Sequence, residues 1–340
     1  MKKALFFVLT DGKPGHQTQS EGVMKLLTPH FPKHQIRYLN LKKVSKNTNL
    51  ALRFLLNYFD LSSFLEHYIS LPDFDYVDDV YIISAGGDTL VPNVLLKRYC
   101  LRNHIKAKNI ILSSLRGVQP VNFDVIFTVN SELKDNFRYV YYPISPNKMV
   151  FSNLKSNDQE DCKNTKILIL IGADTKDVKI GDAKSWFKLV KNIKTQYPYS
   201  EVILTTSRRT SVQFEKELMD LLISCPLTMN DKYYMYNLGN QIQIVNLILS
   251  SNFVLVSQDS GSMVSEVIMA EKKVLIVGNI TDIKNKVMKD YFNSLFNHHL
   301  LTFIGFDEIN FQIKLDQLTI ENHSLVLSDK LKEALSNHKD

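Results

Sequence analysis

An α/β protein in two halves, each built on a parallel sheet, is the architecture this sequence predicts, and three observations predict it. Short apolar, β-prone runs alternate with stretches whose apolar residues recur at helical spacing. That grammar restarts after a polar stretch, Ser152 to Thr165. The glycines, hydroxyls and charged residues that stand out cluster where the predicted strands end. Runs that are apolar throughout, not alternating, belong to strands covered by helices on both faces. The expectation is therefore two Rossmann-like domains facing a cleft, over residues 1–150 and 151–340, with strand ends of both sheets at that cleft.

The first strand is ALFFVLT, residues 4–10. It runs into TDGKPGHQTQSEG, residues 10–22, and then into a helix from Gln19 with Val23, Leu26 and Leu27 on one side. Further strands are expected at IRYLN (36–40), VYIISA (80–85), NIILSS (109–114) and FDVIFTV (123–129). Between the second and third lies Leu50 to Leu71, whose apolar run is interrupted by Arg53, Asp60, Glu66 and His67. It is too broken to cross a membrane, which takes roughly 18 or more apolar residues in a row. Its Phe54, Leu55, Tyr58, Phe59, Leu65 and Tyr68 read as helices packed on the sheet, or as a greasy surface for a membrane or a lipid acceptor. The second half offers KILILI (166–171), EVILTT (201–206), FVLVS (253–257) and KVLIVG (273–278) as strands. A helix is expected where Ala183, Trp186, Phe187, Val190 and Ile193 recur.

With 340 residues, 44% hydrophobic and 22% charged, the chain can bury two ordinary cores. Its charge, 41 − 35 = +6, is spread without a basic block, which suits an anionic small molecule or membrane surface and disfavours nucleic acid. Cys100, Cys162 and Cys225 lack disulfide or zinc spacing, so a reducing cytoplasm is expected. The apolar N-terminus is strand-sized and has no cleavage site, so it reads as a strand and not a signal peptide. No P-loop and no spaced GxGxxG occurs, and neither the Asp73–Asp75 pair nor His298 with His299 makes a metal site.

Four clusters carry chemistry. In the first, Gly12 and Gly15 let the loop bend and Pro14 stiffens it, so that Asp11, Lys13, His16 and Gln17 can be aimed at a ligand. His16 or Asp11 is the candidate general base and Lys13 an electrostatic helper. The second, Gly86, Gly87 and Asp88, brings backbone close to a ligand and makes Asp88 the next candidate base. The third is Thr206, Ser207, Arg208 and Arg209, an anion site of guanidinium forks at a helix start. In the fourth, Asp259, Ser260, Gly261, Ser262 and Met263 form a turn that admits a diphosphate, with Glu266 on the following helix to reach a ribose hydroxyl. Gly172, at the end of KILILI, completes the candidate set.

Taken together, LTDGKPGHQTQSEG, ISAGGDT, TTSRRT and SQDSGSMVSEV resemble the family of the plant elongated-mitochondria fission factor and its bacterial relatives, over Thr10 to Val267. That family looks like glycosyltransferases of the two-Rossmann-domain GT-B type. The chain departs from its pattern at Gly87 or Asp88, where a basic residue is usual, at Gln258, where Glu is common, and at Ala173, where a second glycine is usual. The resemblance implies that the C-terminal domain holds a nucleotide sugar through Asp259 to Ser262 and Glu266, with Arg208 and Arg209 on its phosphates. It implies that the N-terminal domain takes the acceptor, a glycan or glycolipid of the cell envelope such as a lipid-linked or lipopolysaccharide-core glycan. No cofactor and no metal are expected, and a place in the cytoplasm, peripheral to the inner membrane, follows. The alternatives are a non-catalytic adaptor of a membrane-fission machinery and a nucleotide-sugar 2-epimerase.

Overall fold

The computed structural model describes residues 3–70, 77–151, 165–224 and 230–337. Cys162, Cys225, the Asp73–Asp75 pair and all but the last residue of the polar stretch 152–165 lie outside the described residues. The chain forms two compact units: Met1–Phe151 with His323–Asp340, and Ser152–Asn322.

The first unit contains strands β1 (Lys3–Thr10), β2 (Lys33–Asn40), β3 (Asp79–Ala85), β4 (Ala107–Leu112), β5 (Val125–Thr128) and β6 (Tyr139–Tyr141). Its helices before the crossover to the second unit are α1 (Pro14–Leu27), α2 (Lys46–Leu55) and α3 (Leu90–Arg102). The strands lie in the order β2-β1-β3-β4-β5-β6, all parallel. β1 is buried from Ala4 to Thr10, because both of its faces are covered, which is why its sequence is continuous and not alternating. Leu5, Phe7 and Leu9 share a core with Leu52 and Leu56 of the α2 region and with Val91, Val94 and Leu95 of α3.

The second unit has strands β7 (Lys166–Leu170), β8 (Glu201–Thr205), β9 (Lys232–Tyr234), β10 (Phe253–Ser257), β11 (Lys273–Val277) and β12 (Leu301–Ile304). Its helices are α4 (Ala183–Gln196), α5 (Val212–Ser224), α6 (Ile244–Ser250), α7 (Gly261–Met269), α8 (Lys286–Asn297) and α9 (Phe311–Asp316). The order is β12-β11-β10-β7-β8-β9, again all parallel. Asp182 caps α4 by accepting from the Ser185 amide, and Trp186, fully buried, donates its indole N–H to the Ile180 carbonyl at 2.8 Å. The core gathers around that ring.

The structure runs differently from the sequence reading at two places. The last helix, α10 (His323–Asn337), belongs to the first unit and not to the half that precedes it. It is fastened there by Ser328 Oγ, which donates to Leu26 O and pairs with His30 Nε2, both at 2.8 Å, and by His323 Nδ1 against the Tyr142 hydroxyl at 2.8 Å. The second difference is that α1 begins at Pro14, not near Gln19, since a proline needs no N–H at a first helical position and its ring presets the angle. Gly15, His16 and Gln17 are therefore in the first turn of α1, while Gly12, with φ +77°, makes the bend before it.

In each sheet the chain reverses direction across the strand order at one point, between β1 and β3 in the first unit and between β7 and β10 in the second. Crossovers leave such a point on opposite faces of the sheet, which opens a crevice at the carboxyl ends of the two strands where α/β proteins bind ligands.

Candidate active site

At the first of these points a set of titratable groups meets. Asp11 follows β1 and is nearly fully buried at its side chain, 6% exposed, and its Oδ2 lies 2.8 Å from His16 Nδ1. Burial pushes its carboxyl up, yet the bond to His16, the Lys13 amide and the neighbouring charges outweigh that and hold it below the ordinary carboxylate value. An ionised carboxylate has no proton to give, so Nδ1 must carry the proton and the lone pair of the neutral ring falls on Nε2. Lys13 Nζ reaches both acids, Asp88 Oδ2 at 2.8 Å and Asp11 Oδ2 at 3.2 Å. The bond to Lys13 is the main reason Asp88 sits below its ordinary value, and the bond to Asp88 the main reason Lys13 sits above its own.

The two glycines after β3 are there because of what lies on them. A Cβ on Gly86 would fall 2.2 Å from the His16 ring, and one on Gly87 would fall 2.4 Å from the Arg116 guanidinium carbon, so any larger residue would displace these side chains. Arg53 of α2 completes the group, donating from Nη2 to the Gly87 carbonyl at 2.8 Å. Gln17, by contrast, is exposed and bonded along the helix to Glu21 at 2.8 Å, and Gly15 faces open space.

The second point is organised by one buried carboxylate. Asp259 follows β10 and its side chain is fully buried. Its Oδ1 accepts from Ser257 Oγ at 2.6 Å, and its Oδ2 accepts from the Ala173 amide at 3.1 Å and from Arg209 Nη2 at 2.9 Å. Gly172 lets this happen, because a Cβ there would meet the carboxylate at 2.2 Å. Asp259 thus ties β7, β10 and the Arg209 turn together. Thr206 is likewise engaged, donating to the buried Glu215 at 2.6 Å, and Ser207 is tied to Thr210. Arg209 keeps part of its side chain at the surface, and Arg208 is exposed and without a hydrogen bond or ion pair among the described residues; the start of α7 lies beyond them in the chain. Ser260 caps that helix, its Oγ accepting from the Met263 amide at 3.4 Å, and Ser262 Oγ lies 3.3 Å from Ser260 Oγ. Gly261 packs against the Tyr291 ring, and Glu266 stands half-buried in the second turn.

Most of the sequence-predicted residues meet at these two points, with Gly15 and Gln17 outside the contacts of the first, and they divide in a way the sequence did not disclose. Arg53, Arg116, Ser257 and Glu215 belong to the clusters and were missed. Arg53 is one helical turn from nothing unusual in sequence; only its arrival beneath Gly87 gives it a place. Ser257, the last residue of β10, carried a signal: a serine at a buried strand end requires a polar partner. Among the described residues no group of three or more His, Cys, Asp or Glu is arranged to hold a metal ion, and no helix is long and apolar enough to cross a membrane.

Two all-parallel Rossmann-like sheets, each with a polar cluster at its reversal point, define the GT-B class of fold. Solved structures share it across their whole length. A Listeria monocytogenes protein assigned as a UDP-N-acetylglucosamine 2-epimerase aligns with a TM-score of 0.60 at 11% identity, covering 98% of this chain and 96% of that one. The UDP-GlcNAc 2-epimerase of Methanocaldococcus jannaschii aligns with 0.57 at 11%, covering 97% and 99%. That of Neisseria meningitidis, bound to UDP-GlcNAc, aligns with 0.52 at 13%, covering 99% and 100%. Within this class the chain belongs to the Mitochondrial fission ELM1 family, whose family model matches residues 14–316. No curated protein matches the sequence significantly.

Proposed function

We propose that the chain is a metal-independent glycosyltransferase that moves a sugar from a nucleotide-activated donor to a cell-envelope acceptor. The observation that carries this reading is the Asp11–His16 pair, a buried carboxylate fixing the ring so that Nε2 is the basic nitrogen. A transferase must take a proton from the acceptor hydroxyl as the new bond forms, and a positioned imidazole contributes about 10²- to 10⁴-fold to such a step. In this reading Asp11 orients, His16 accepts the proton, and Lys13 keeps the acids ionised, with Asp88 anchoring Lys13. The first unit takes the acceptor.

The second unit holds the donor. Arg208 and the amides at the start of α7, with Ser260, Gly261 and Ser262, meet the phosphates and stabilise the departing nucleotide, while Glu266 meets a ribose hydroxyl. Asp259 and Arg209 keep that surface in shape. The acceptor bears a lipid: α2 turns Leu50, Phe54 and Leu55 outward, Tyr58 and Phe59 follow them, and the exposed Lys42, Lys43 and Lys46 precede them in the chain. An apolar face flanked by lysines suits an anionic bilayer, at the cytoplasmic surface of the inner membrane. Sedimentation with vesicles containing phosphatidylglycerol, weakened by Phe54→Ser and by salt, checks this.

The test of the main reading is a thermal-shift screen against UDP-, CMP-, GDP- and ADP-sugars, beginning with UDP-GlcNAc, the ligand of one structural relative. A ligand that binds only the folded state at 100 times its Kd stabilises by about 2.7 kcal/mol. The donor is then incubated with membrane lipid extract. Nucleotide release that needs the extract supports transfer, a C2-epimerised sugar without acceptor would make the protein an epimerase, and no shift with any donor would favour the adaptor.

A further inference from the structure

Two guanidinium groups meet the backbone of Gly87, and neither has its donors fully matched. Arg53 is anchored through Nη2 to Gly87 O at 2.8 Å and stands 3.7 Å from Asp88 Oδ1, yet its Nε is buried with no acceptor. That Nε is closed to solvent, so Arg53 acts here as a fixed charge beneath the Gly87 backbone and not as a contact for an arriving group. Arg116 lies flat enough on Gly87 that a Cβ there would come within 2.6 Å of its Cζ, Nε and Nη1 alike. Its guanidinium has no hydrogen bond and no ion pair among the described residues.

The position of Arg116 is held at some strain. Its φ is +47°, in the left-handed region that residues with a Cβ seldom occupy, and Gly117 follows with φ +92°. The loop is kept there by the turn that follows α2: the Asn57 side-chain Nδ2 donates to Gly117 O at 2.9 Å and its Oδ1 accepts from the Gln119 backbone N–H at 2.8 Å. So the same helical segment that delivers Arg53 also fixes the loop that delivers Arg116. Backbone strain that the surroundings impose on one residue is characteristic of functional sites. The fixed charges gathered here are Lys13, Arg53 and Arg116 against Asp11 and Asp88, which is 3 − 2 = +1. Lys13 engages both acids and Arg53 stands against Asp88, which leaves the Arg116 guanidinium as the cation without a partner among the described residues.

We propose that Arg53 and Arg116 form an oxyanion site next to the Asp11–His16 pair, one that holds a phosphate or carboxylate carried by the molecule bound to the first unit. The planar fork of Arg116 donates to either oxyanion through two parallel N–H bonds, and Arg53, anchored under Gly87, adds its fixed charge from behind. Gly87 is glycine so that the oxyanion-binding guanidinium can rest on bare backbone. The proposal rests on the transferase reading only in naming that molecule the acceptor: it makes the acceptor an anionic one, whose charged group sets the distance of its hydroxyl from His16.

The experiment is calorimetric titration of the full chain with inorganic phosphate and with acetate, on a background of Arg208→Ala that removes the phosphate contact proposed for the second unit. Phosphate or acetate should bind, and adding Arg116→Ala should weaken it tenfold or more, as expected for loss of a charge-assisted pair. Arg116→Lys should recover only part, because a point charge lacks the fork. Tighter phosphate identifies a phosphate ester, and tighter acetate a carboxylate. Binding of neither anion, or the same affinity with and without Arg116, would overturn the proposal. So would a fall in UDP affinity of Arg116→Ala in the native background as large as the fall for phosphate, which would give this arginine to the donor. Arg116 is exposed, so a retained thermal midpoint verifies the fold. Should no nucleotide sugar bind while phosphate binding still depends on Arg116, the transferase reading fails and the oxyanion site stands.

Discussion

The two reversal points occupy the same place in two similar sheets and yet handle charge in opposite ways. After β1 and β3 most of the ionisable groups stay at the surface: Lys13 is 57% and Asp88 49% exposed and His16 31%, while Asp11 and Arg53 are withdrawn. After β7 and β10 the central acid, Asp259, is fully buried and its oxygens are occupied by Ser257, Ala173 and Arg209. In the proposed function the first arrangement keeps a proton acceptor ready, and the second fixes a backbone so that amides and hydroxyls can face a ligand. A shared fold position therefore fixes where a ligand binds and leaves open what the residues there do.

The largest effect that this contrast predicts is on rate. Replacing His16 by Ala should lower kcat by about 10²- to 10⁴-fold with nucleotide affinity unchanged, measured with saturating donor on the identified acceptor. A near-normal kcat would erase the distinction, since the first cluster would then be architectural. Next is stability. Asp259→Ala strands the Ser257 hydroxyl, the Ala173 amide and the Arg209 guanidinium, and a buried polar group left unmatched costs about 1–3 kcal/mol, so its urea midpoint should drop clearly below that of Asp11→Asn. Equal losses in the two variants would mean that both carboxylates are structural.

Within the second cluster the neighbouring arginines should separate. Arg208→Ala should weaken a nucleoside diphosphate about tenfold, as for one charge-assisted bond, while the free nucleoside is spared. Arg209→Ala should lower the thermal midpoint as well, because it leaves Asp259 without its cation. The smallest effect concerns pH. Asp11 and Asp88 lie below the ordinary carboxylate value in the fold, so their contribution is present above about pH 4 and fades as pH falls through their lowered values. Lys13 lies above its ordinary value, so its contribution is present below about pH 10 and fades as pH rises past that. The difference in melting temperature between wild type and Asp11→Asn should accordingly hold through neutrality and shrink on acidification. A rate that falls on the acid side above about pH 4 then cannot be the titration of Asp11.

Nine strands were legible in the sequence, and the three that were not, β6, β9 and β12, all lie at sheet edges. Edge strands are covered on fewer sides, so YVY and KYY need no continuous apolar run and give no signal of the kind that marks β1. The fourth edge strand, β2, was found because IRYLN is itself a β-prone run, although Ile36, Tyr38 and Asn40 are exposed and alternate with the half-buried Gln35, Arg37 and Leu39. The last stretch of the chain was placed with the second half, over 151–340, for a related reason: nothing in residues 323–337 names the sheet that they pack on.

By itself the sequence determined the α/β class, the two parallel sheets, the central strands and the residues gathered at their ends. These follow from local rules, the period of apolar residues and the turn chemistry of glycine, proline and serine, which act over a few positions of chain. Tertiary structure alone decided which of those residues are engaged and which are available. Arg208 and Arg209 are adjacent and chemically identical, yet one is paired to Asp259 and the other is not. Arg53 and Arg116 come to Gly87 from 34 positions before it and 29 after it, 87 − 53 and 116 − 87. Hydrogen bonds and ion pairs act over about 3 Å of space, not over a span of sequence, so the choice between two neighbouring guanidinium groups is made only when the chain has closed around them.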